Sequence, residues 1–461
     1  MKANMKKLLA MGLSVVLAVG CLTGCGDDKT SSKDGSTAKT EGEGGSSSSK
    51  KTFDDLGGMS IKIGDWYTSE DTGETDYAKA TESYRKEIME KYNFKINRES
   101  AYSYTDQQET YVNGVMSNSP SCQLFYLYQE MVSAPLMKGL MYDLKTLPEF
   151  DFTEEKWNQT VVELMSIGNG IWGMNPENEP RGGVFFNKRM LKEAGIGEDE
   201  PYDLQKDGKW TWSKFEEIGK DIHEKTGKYL LTSEATGGDT LMMMIQSCGA
   251  NFVNEDGEAY IVGNDVAEKC INLYVDLVKN DVVKLVNNWD EYIATITSGE
   301  AAGIVNGNWI TATLMSTEDQ KGLWGITTMP KVDGVDTATN YANNGGSSWY
   351  ITSNCKNVEL AEDFLASTFG SSTDFYDAIL SETGAISCYL PAGESDVYNE
   401  PNEFFGGQPI FSTIVEYSSH IPEFTKTPYH YEARECVNTA VVNIVNGTAK
   451  EDALQEAQDT L

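Results

Sequence analysis

Histidine, basic charge and long apolar runs are all scarce in this chain of 461 residues, and each shortage closes off a class of chemistry. Three histidines occur, His223, His420 and His430, scattered along the chain, and no two cysteines form a C-x-x-C pair. A zinc centre needs clustered imidazoles or thiolates, so neither a metal nor any other cofactor is expected. His223-Glu224 has no second histidine one helical turn on, which removes the zinc-hydrolase motif. The sequence also lacks a G-x-S-x-G elbow, so nucleophilic hydrolysis has no support. Lysine and arginine number 37 against 71 acidic residues, a formal charge of -34. Such a surface repels nucleic acid, anionic headgroups and phosphorylated ligands and favours neutral or cationic ones, although the same excess also reads as a plain solubilising coat. Past residue 25 no apolar stretch approaches the roughly 20 residues that a membrane-spanning helix needs.

The first 25 residues carry the strongest single signal. Lys6 and Lys7 precede an apolar run over 8–22 that ends in Leu22-Thr23-Gly24-Cys25. A basic start and a short apolar core are what an export signal needs. Leu-Thr-Gly-Cys resembles the lipobox of bacterial lipoproteins, whose cysteine is acylated and becomes the first mature residue; Ala18-Val19-Gly20-Cys21 is a poorer alternative. The expectation is a signal peptide over 1–24, lipidation at Cys25, and a lipid anchor at the outer face of the cytoplasmic membrane, since two acyl chains suffice for lasting attachment. Residues 26–51 hold no large apolar side chain. They cannot bury enough surface to fold, so 25–52 reads as a disordered tether with a mean span of about 30 Å.

From residue 53 to 461 the chain exceeds the about 250–300 residues that one hydrophobic core fills, so two lobes are expected. Short strands alternate with amphipathic helices, the rhythm of an α/β protein. Ser60-Ile61-Lys62-Ile63-Gly64-Asp65-Trp66 alternates as a strand, followed by a helix over 77–92, strands over 94–97 and 123–128, helices over 131–140 and 157–167, and a strand over 182–187. Ser213-Lys214-Phe215-Glu216 fits a capping box opening a helix over 215–225. Further helices are expected over 241–248, 266–278, 358–369, 433–445 and 451–458. Beyond Cys21 and Cys25, six cysteines remain, Cys122, Cys248, Cys270, Cys355, Cys388 and Cys436. Several sit in apolar periodic segments as small buried hydrophobes, and their disulfide pairing is left open.

Gly168-Asn169-Gly170-Ile171-Trp172-Gly173 matches G-x-G-x-x-G, but a dinucleotide site needs a strand before the glycines and a helix after them. Here a helical pattern precedes, so the motif reads as a glycine turn. Asn254-Glu255-Asp256-Gly257 lacks the distal glutamate of a calcium loop and reads as a hairpin turn. A glycosidase would need two carboxylates across a cleft, and among 71 acids no pair stands out. The 9 tryptophans and 23 tyrosines say more. Aromatic faces stack on sugar rings, while carboxylates and amides bind the hydroxyls. Trp66, Trp309 and Trp349 stand at expected strand ends or helix starts, where α/β folds bind ligands, with core packing the competing reading for each. Trp212 and Trp324 are assigned to the core.

Four blocks resemble the extracellular solute-binding proteins of sugar ABC transporters, the family that includes maltose-binding protein. Gly183-Val184-Phe185-Phe186-Asn187-Lys188-Arg189-Met190-Leu191, with Glu193-Ala194-Gly195 after it, is similar to the family's strand-to-helix passage. Ser298-Gly299-Glu300-Ala301-Ala302-Gly303-Ile304-Val305-Asn306-Gly307-Asn308-Trp309 resembles its G-[EK]-x-A-M-x-x-x-G-x-W, with Gly303 in the methionine position. Residues 345–352 and 357–365 look like the hinge strand and its following helix, and 439–447 with 452–454 like the closing helices.

The resemblance implies a two-lobe periplasmic-binding-protein-like fold with discontinuous lobes, 53–181 with 347–395 and 182–346 with 396–461. A hinge joins them where Gly182, Gly183, Gly345 and Gly346 stand. It implies a monomer that captures a neutral oligosaccharide without catalysis and delivers it to the membrane permease subunits of an ABC importer. By the same likeness Trp309 is the sugar-stacking candidate. Tyr128, Gln129 and Glu130 follow the third strand where the family places polar ligand contacts, and Arg181 and Asp239 lie in loops near the cleft. Trp66 and Trp349 fit by strand-end position, and Tyr429 and Tyr431 precede the closing helix. A secreted carbohydrate-active enzyme and a surface adhesin without a transport role stay open as alternatives.

Overall fold

The computed structural model describes residues 58–461 apart from 59, 65–75, 99–101, 103–105, 236–237, 255–257, 371–372, 374–375, 377–385, 395 and 422–429. Cys25, Trp66 and Tyr429, with the signal and tether segments, lie outside the described residues.

The chain begins a first sheet with β1 (Ser60–Gly64), β2 (Lys95–Arg98) and β3 (Leu124–Tyr128), paired in parallel with β1 in the middle. A small hairpin, β4 (Ser166–Ile167) and β5 (Gly170–Ile171), turns through Gly168 and Asn169. The chain then crosses in β6 (Glu177–Pro180) to a second sheet made of β7 (Gly183–Asn187), β8 (Tyr229–Glu234), β9 (Val283–Val286), β10 (Ala301–Asn306) and β11 (Trp324–Thr327). Its order is β11-β7-β10-β8-β9, with β8 parallel to β9 and β10, and β7 antiparallel to β10 and β11. β12 (Asn344–Gly345) crosses back beside β6, and β13 (Ser347–Ile351) completes the first sheet by pairing antiparallel with β3. β14 (Ile386–Ser387) flanks β6.

β3, β7, β10, β11 and β13 are buried on two faces along almost their whole length, which explains why strands such as Leu124-Phe125-Tyr126-Leu127-Tyr128 read as unbroken apolar runs, whereas β1 alternates between exposed and buried residues. Successive side chains of a strand point to opposite faces. Leu124, Tyr126, Trp349 and Ile351 therefore pack with Ile88, Leu360 and Phe364, while Phe125, Leu127 and Tyr350 pack with Tyr111 and Val115. In β7 the same alternation sends Val184 and Phe186 to one core and Phe185 to another, with Ile304, Ile326 and Phe405. Trp212 and Trp324 are fully buried, as expected.

Several local expectations shift. The helix over 157–167 shortens to Gln159–Leu164, because residues 166–167 pair back on β5 through the glycine turn. The segment over 131–140 forms a 3-10 turn, Gln129–Met131, and a short helix, Ser133–Met137. The capping box at Ser213 does not form. Thr211, in extended backbone, caps the helix Trp212–Thr226 by accepting from the Lys214 N–H, while Ser213 lies inside the first turn and its hydroxyl donates to Asp333 Oδ2 at 2.8 Å. The six cysteines are free thiols, with Cys248 and Cys270 Sγ 3.9 Å apart.

The two crossover segments lie side by side, Asn344 opposite Pro180 and Gly345 opposite Glu179. They end in Gly182 (φ +92°) and Gly346 (φ +136°), a region that side-chain-bearing residues rarely adopt. A Cβ on Gly346 would in addition fall 2.8 Å from Asn175 Nδ2. β3 ends at Tyr128, opposite the start of β13, and β10 ends at Asn306, opposite the start of β7. The carboxyl ends of β3 and β10 thus meet the crossover.

Candidate ligand-binding site

Glu130 sits on the 3-10 turn that follows β3. The Gln129 N–H donates to Gly346 O at 3.1 Å and the Tyr128 N–H donates to Gln107 Oε1 at 2.7 Å, so the turn is tied to the returning crossover and to the helix Gln107–Met116. Arg181 lies between β6 and β7, fixed by its N–H donating to Asn343 O at 2.9 Å. Its Nη1 is 3.0 Å from Asp239 Oδ2 and 3.8 Å from Glu130 Oε1. The guanidinium carbon stands 5.1 Å from the ring centroids of both Tyr128 and Trp309, within cation–π range.

Asp239 immediately precedes the helix Thr240–Ser247, and the helix His430–Val445 brings Arg434 against it. Arg434 Nη1 donates to Asp239 Oδ1, stands 3.5 Å from Glu130 Oε2, and its guanidinium lies over the Tyr431 ring at 4.7 Å. His430 Nε2 is 3.8 Å from Glu130 Oε1 and 3.1 Å from Gln246 Nε2. Two guanidiniums and two carboxylates therefore alternate in one cluster. Arg181, Glu130 and Arg434 are almost sealed, with side chains 5%, 2% and 2% exposed, while Asp239 keeps 21%. Burying an unpaired charge is costly, and here each charge faces an opposite one, so the four groups are buried together without a net charge among them.

Two further acids border the cluster. Burial pushes the Glu179 carboxyl up to about 7 against the opposing pull of Arg181, and burial followed by repulsion from Asp239 does the same to Glu234, also to about 7. Both titrate near neutral pH. Trp309, half-buried, follows the end of β10 and precedes the helix Ile310–Met315. A Cβ on Gly307 would penetrate the Trp309 ring, so glycine there is what lets the indole lie against the backbone.

The structure brings Tyr128, Gln129, Glu130, Arg181, Asp239, Trp309 and Tyr431 to this one place. Tyr431 is the second residue of its helix rather than a residue ahead of it. Trp349 is a correction. It lies in the middle of β13, opposite Tyr126, 2% exposed, with ring contacts to Tyr126, Phe364 and Phe369, so its register puts it in the core and away from the cleft. Arg434 and His430 escaped the sequence reading. The available signal was helical spacing, which puts Arg434 and Asn438 on the buried side with Val437 and Val441. Among the described residues no group of three or more His, Cys, Asp or Glu is placed to hold a metal ion.

A mixed α/β fold whose two sheets present their carboxyl ends to one polar, aromatic-lined crossover is the architecture of a protein that holds a small solute. Residues 83–405 match the family model of the bacterial extracellular solute-binding proteins, and the chain belongs to that family, whose members bind rather than transform their solutes. It is 32% identical over 298 residues to the lactose-binding protein of Rhizobium radiobacter, covering 65% of this chain and 69% of that one. It is 25% identical over 329 residues to the arabinooligosaccharide-binding protein of Bacillus subtilis (strain 168), covering 69% and 70%. Solved structures share the fold. The GacH receptor of Streptomyces glaucescens superposes with a TM-score of 0.69 at 15% identity, covering 87% of this chain and 97% of that one. The ABC transporter associated binding protein of B. animalis subsp. lactis, in complex with beta-1,6-galactobiose, gives 0.70 at 17% identity, with 87% and 96% covered.

Proposed function

We propose that this protein captures a neutral oligosaccharide between two lobes, 53–181 with 347–395 and 182–346 with 396–461, and hands it to the permease subunits of an ABC importer. The observation that carries the reading is Arg181, held between Glu130 and Asp239 and lying over the rings of both Tyr128 and Trp309. Sugar hydroxyls donate to the carboxylates, guanidinium N–H groups donate to sugar oxygens, and the Trp309 indole stacks on a C–H face. Gln129 Oε1 and Arg181 Nε are buried with no hydrogen-bond partner among the described residues, which is capacity a ligand would use. Relatives that bind lactose, arabinooligosaccharides and beta-1,6-galactobiose support a neutral sugar. Gly182 and Gly346 serve as hinge points for closure, and the importer distinguishes closed from open. Cys25 and the tether behind it anchor the monomer outside the cytoplasmic membrane, a role that Cys25→Ala should abolish by releasing the protein from the detergent phase.

Titration calorimetry with lactose, arabinooligosaccharides and beta-1,6-galactobiose tests the reading. Folded Trp309→Ala should bind at least tenfold more weakly, about 1.4 kcal/mol, and recovered sugar should have unchanged mass. Parent affinity in that variant, or no binding of any of these sugars, would overturn it.

A further inference from the structure

A second tryptophan stands on the same edge. Trp289 opens the helix Trp289–Thr297 just after the carboxyl end of β9, and it is 43% exposed. Its ring is nonetheless fixed, parallel to Tyr292 with centroids 5.2 Å apart and planes at 15°. Tyr292 is buried, and its hydroxyl accepts from Asn306 Nδ2 at 2.9 Å. Asn306 Oδ1 in turn accepts from the Gly307 N–H at 2.8 Å, and Gly307 lies against the Trp309 indole. One run of contacts therefore connects the exposed indole to the Trp309 indole along the carboxyl ends of β9 and β10.

The turn beneath Trp289 is also rigid. Asn288 Oδ1 accepts from the Glu291 N–H at 3.0 Å, and the Asn287 N–H and Nδ2 donate to Glu291 Oε2 at 2.9 and 3.0 Å. Scattered exposed apolar residues are ordinary on a protein surface. An indole held flat by a buried ring, on a capped turn, at the same carboxyl edge of the sheet as Trp309, is a prepaid stacking platform, because no side-chain freedom is lost when a sugar lands on it.

We infer that Trp289 forms an outer sugar subsite continuous with the one at Trp309, so that the ligand carries at least one further sugar unit beyond the unit stacked on Trp309. The inference rests on the sugar-binding reading above and names its chain length. The exposed indole face takes the outer unit, and the amides of Asn287 and Asn288 stand next to it in sequence as hydroxyl partners.

Calorimetry on two length ladders tests this, arabinooligosaccharides and beta-1,6-linked galactooligosaccharides from the disaccharide to the tetrasaccharide. The variants are Trp289→Ala, Trp289→Phe and Trp309→Ala, each with its unfolding midpoint measured as a folding control. In the parent, one added unit should strengthen binding by about fivefold or more. Trp289→Ala should lose that gain while keeping parent affinity for the shortest ligand that binds, and Trp289→Phe should retain part of it. A Trp289→Ala effect equal at every length, or no effect at any length, overturns the outer subsite even where Trp309→Ala weakens every member of the ladder. Failure of both ladders to bind the parent overturns the sugar-binding reading and the subsite together.

Discussion

Replacing Arg434 with methionine would remove the cation shared by Glu130 and Asp239 while keeping most of the packing volume. Arg434 and Glu130 side chains are each 2% exposed and Asp239 21%. Removing one partner of a buried ion pair typically costs about 3–5 kcal/mol, because the charge left behind stays desolvated. Arg181 still stands 3.8 Å from Glu130 and 3.0 Å from Asp239, so neither carboxylate is orphaned and the expected loss sits at the low end, about 3 kcal/mol. Arg181→Met should cost a similar amount. The double variant leaves two carboxylates facing each other without a cation and should lose about 1–3 kcal/mol more than the sum. Glu130→Gln placed in the Arg434→Met background should restore part of the loss, since it discharges one of the two acids. Urea unfolding at neutral pH, followed by tryptophan fluorescence, reads each of these from the midpoint and slope. An Arg434→Met midpoint equivalent to less than about 0.5 kcal/mol of loss, or strict additivity in the double variant, would refute the argument that these charges are buried as one coupled unit.

Native pKa values near 7 for Glu179 and Glu234, against an ordinary value of 4.5, mean that the folded chain holds protons which the unfolded chain has released. Their contribution to stability is fully present below about pH 4.5 and is lost as pH rises through about 7. Glu179→Gln should flatten that decline, and equal slopes for parent and variant in unfolding measured from pH 4.5 to 8 would rule it out. Gly303 occupies β10 where a Cβ would fall 2.7 Å from Phe185 O and 3.3 Å from Leu230 O. Gly303→Ala should therefore destabilise by about 1–3 kcal/mol in the same urea assay, and a neutral outcome would show that the sheet relaxes there at no cost.

Much of the fold was legible because several of its strands are buried on both faces. Unbroken runs such as Gly183-Val184-Phe185-Phe186-Asn187 are visible without knowing the partners. Trp349 was misplaced because its position is a matter of register: only the pairing of β13 with β3 makes it the mid-strand neighbour of Tyr126. Helix starts failed where two polar residues compete, as Thr211 and Ser213 do, since the choice between them depends on Asp333 from a distant loop. The charged cluster was half visible. Glu130 and Arg181 flank recognisable strands, whereas Arg434 belongs to a helix of mixed composition and becomes a buried cation only once that helix lies across the carboxyl ends of the sheets.

The late return of β13 has a consequence for how the molecule is made. Tyr128 finds its partner Ser347 only after roughly 220 intervening residues have been synthesised, which at about 5–20 residues per second takes on the order of 10–45 s. Throughout that interval β3 is an edge strand with an open row of backbone donors and acceptors, and its Tyr126 lacks Trp349. A ribosome that extends the chain from its amino end therefore cannot finish the first sheet before most of the second has been produced. The β3 edge thus stays open while nearly half of the chain is being made. That delay leaves the β3 edge open to pairing with other strands until β13 arrives.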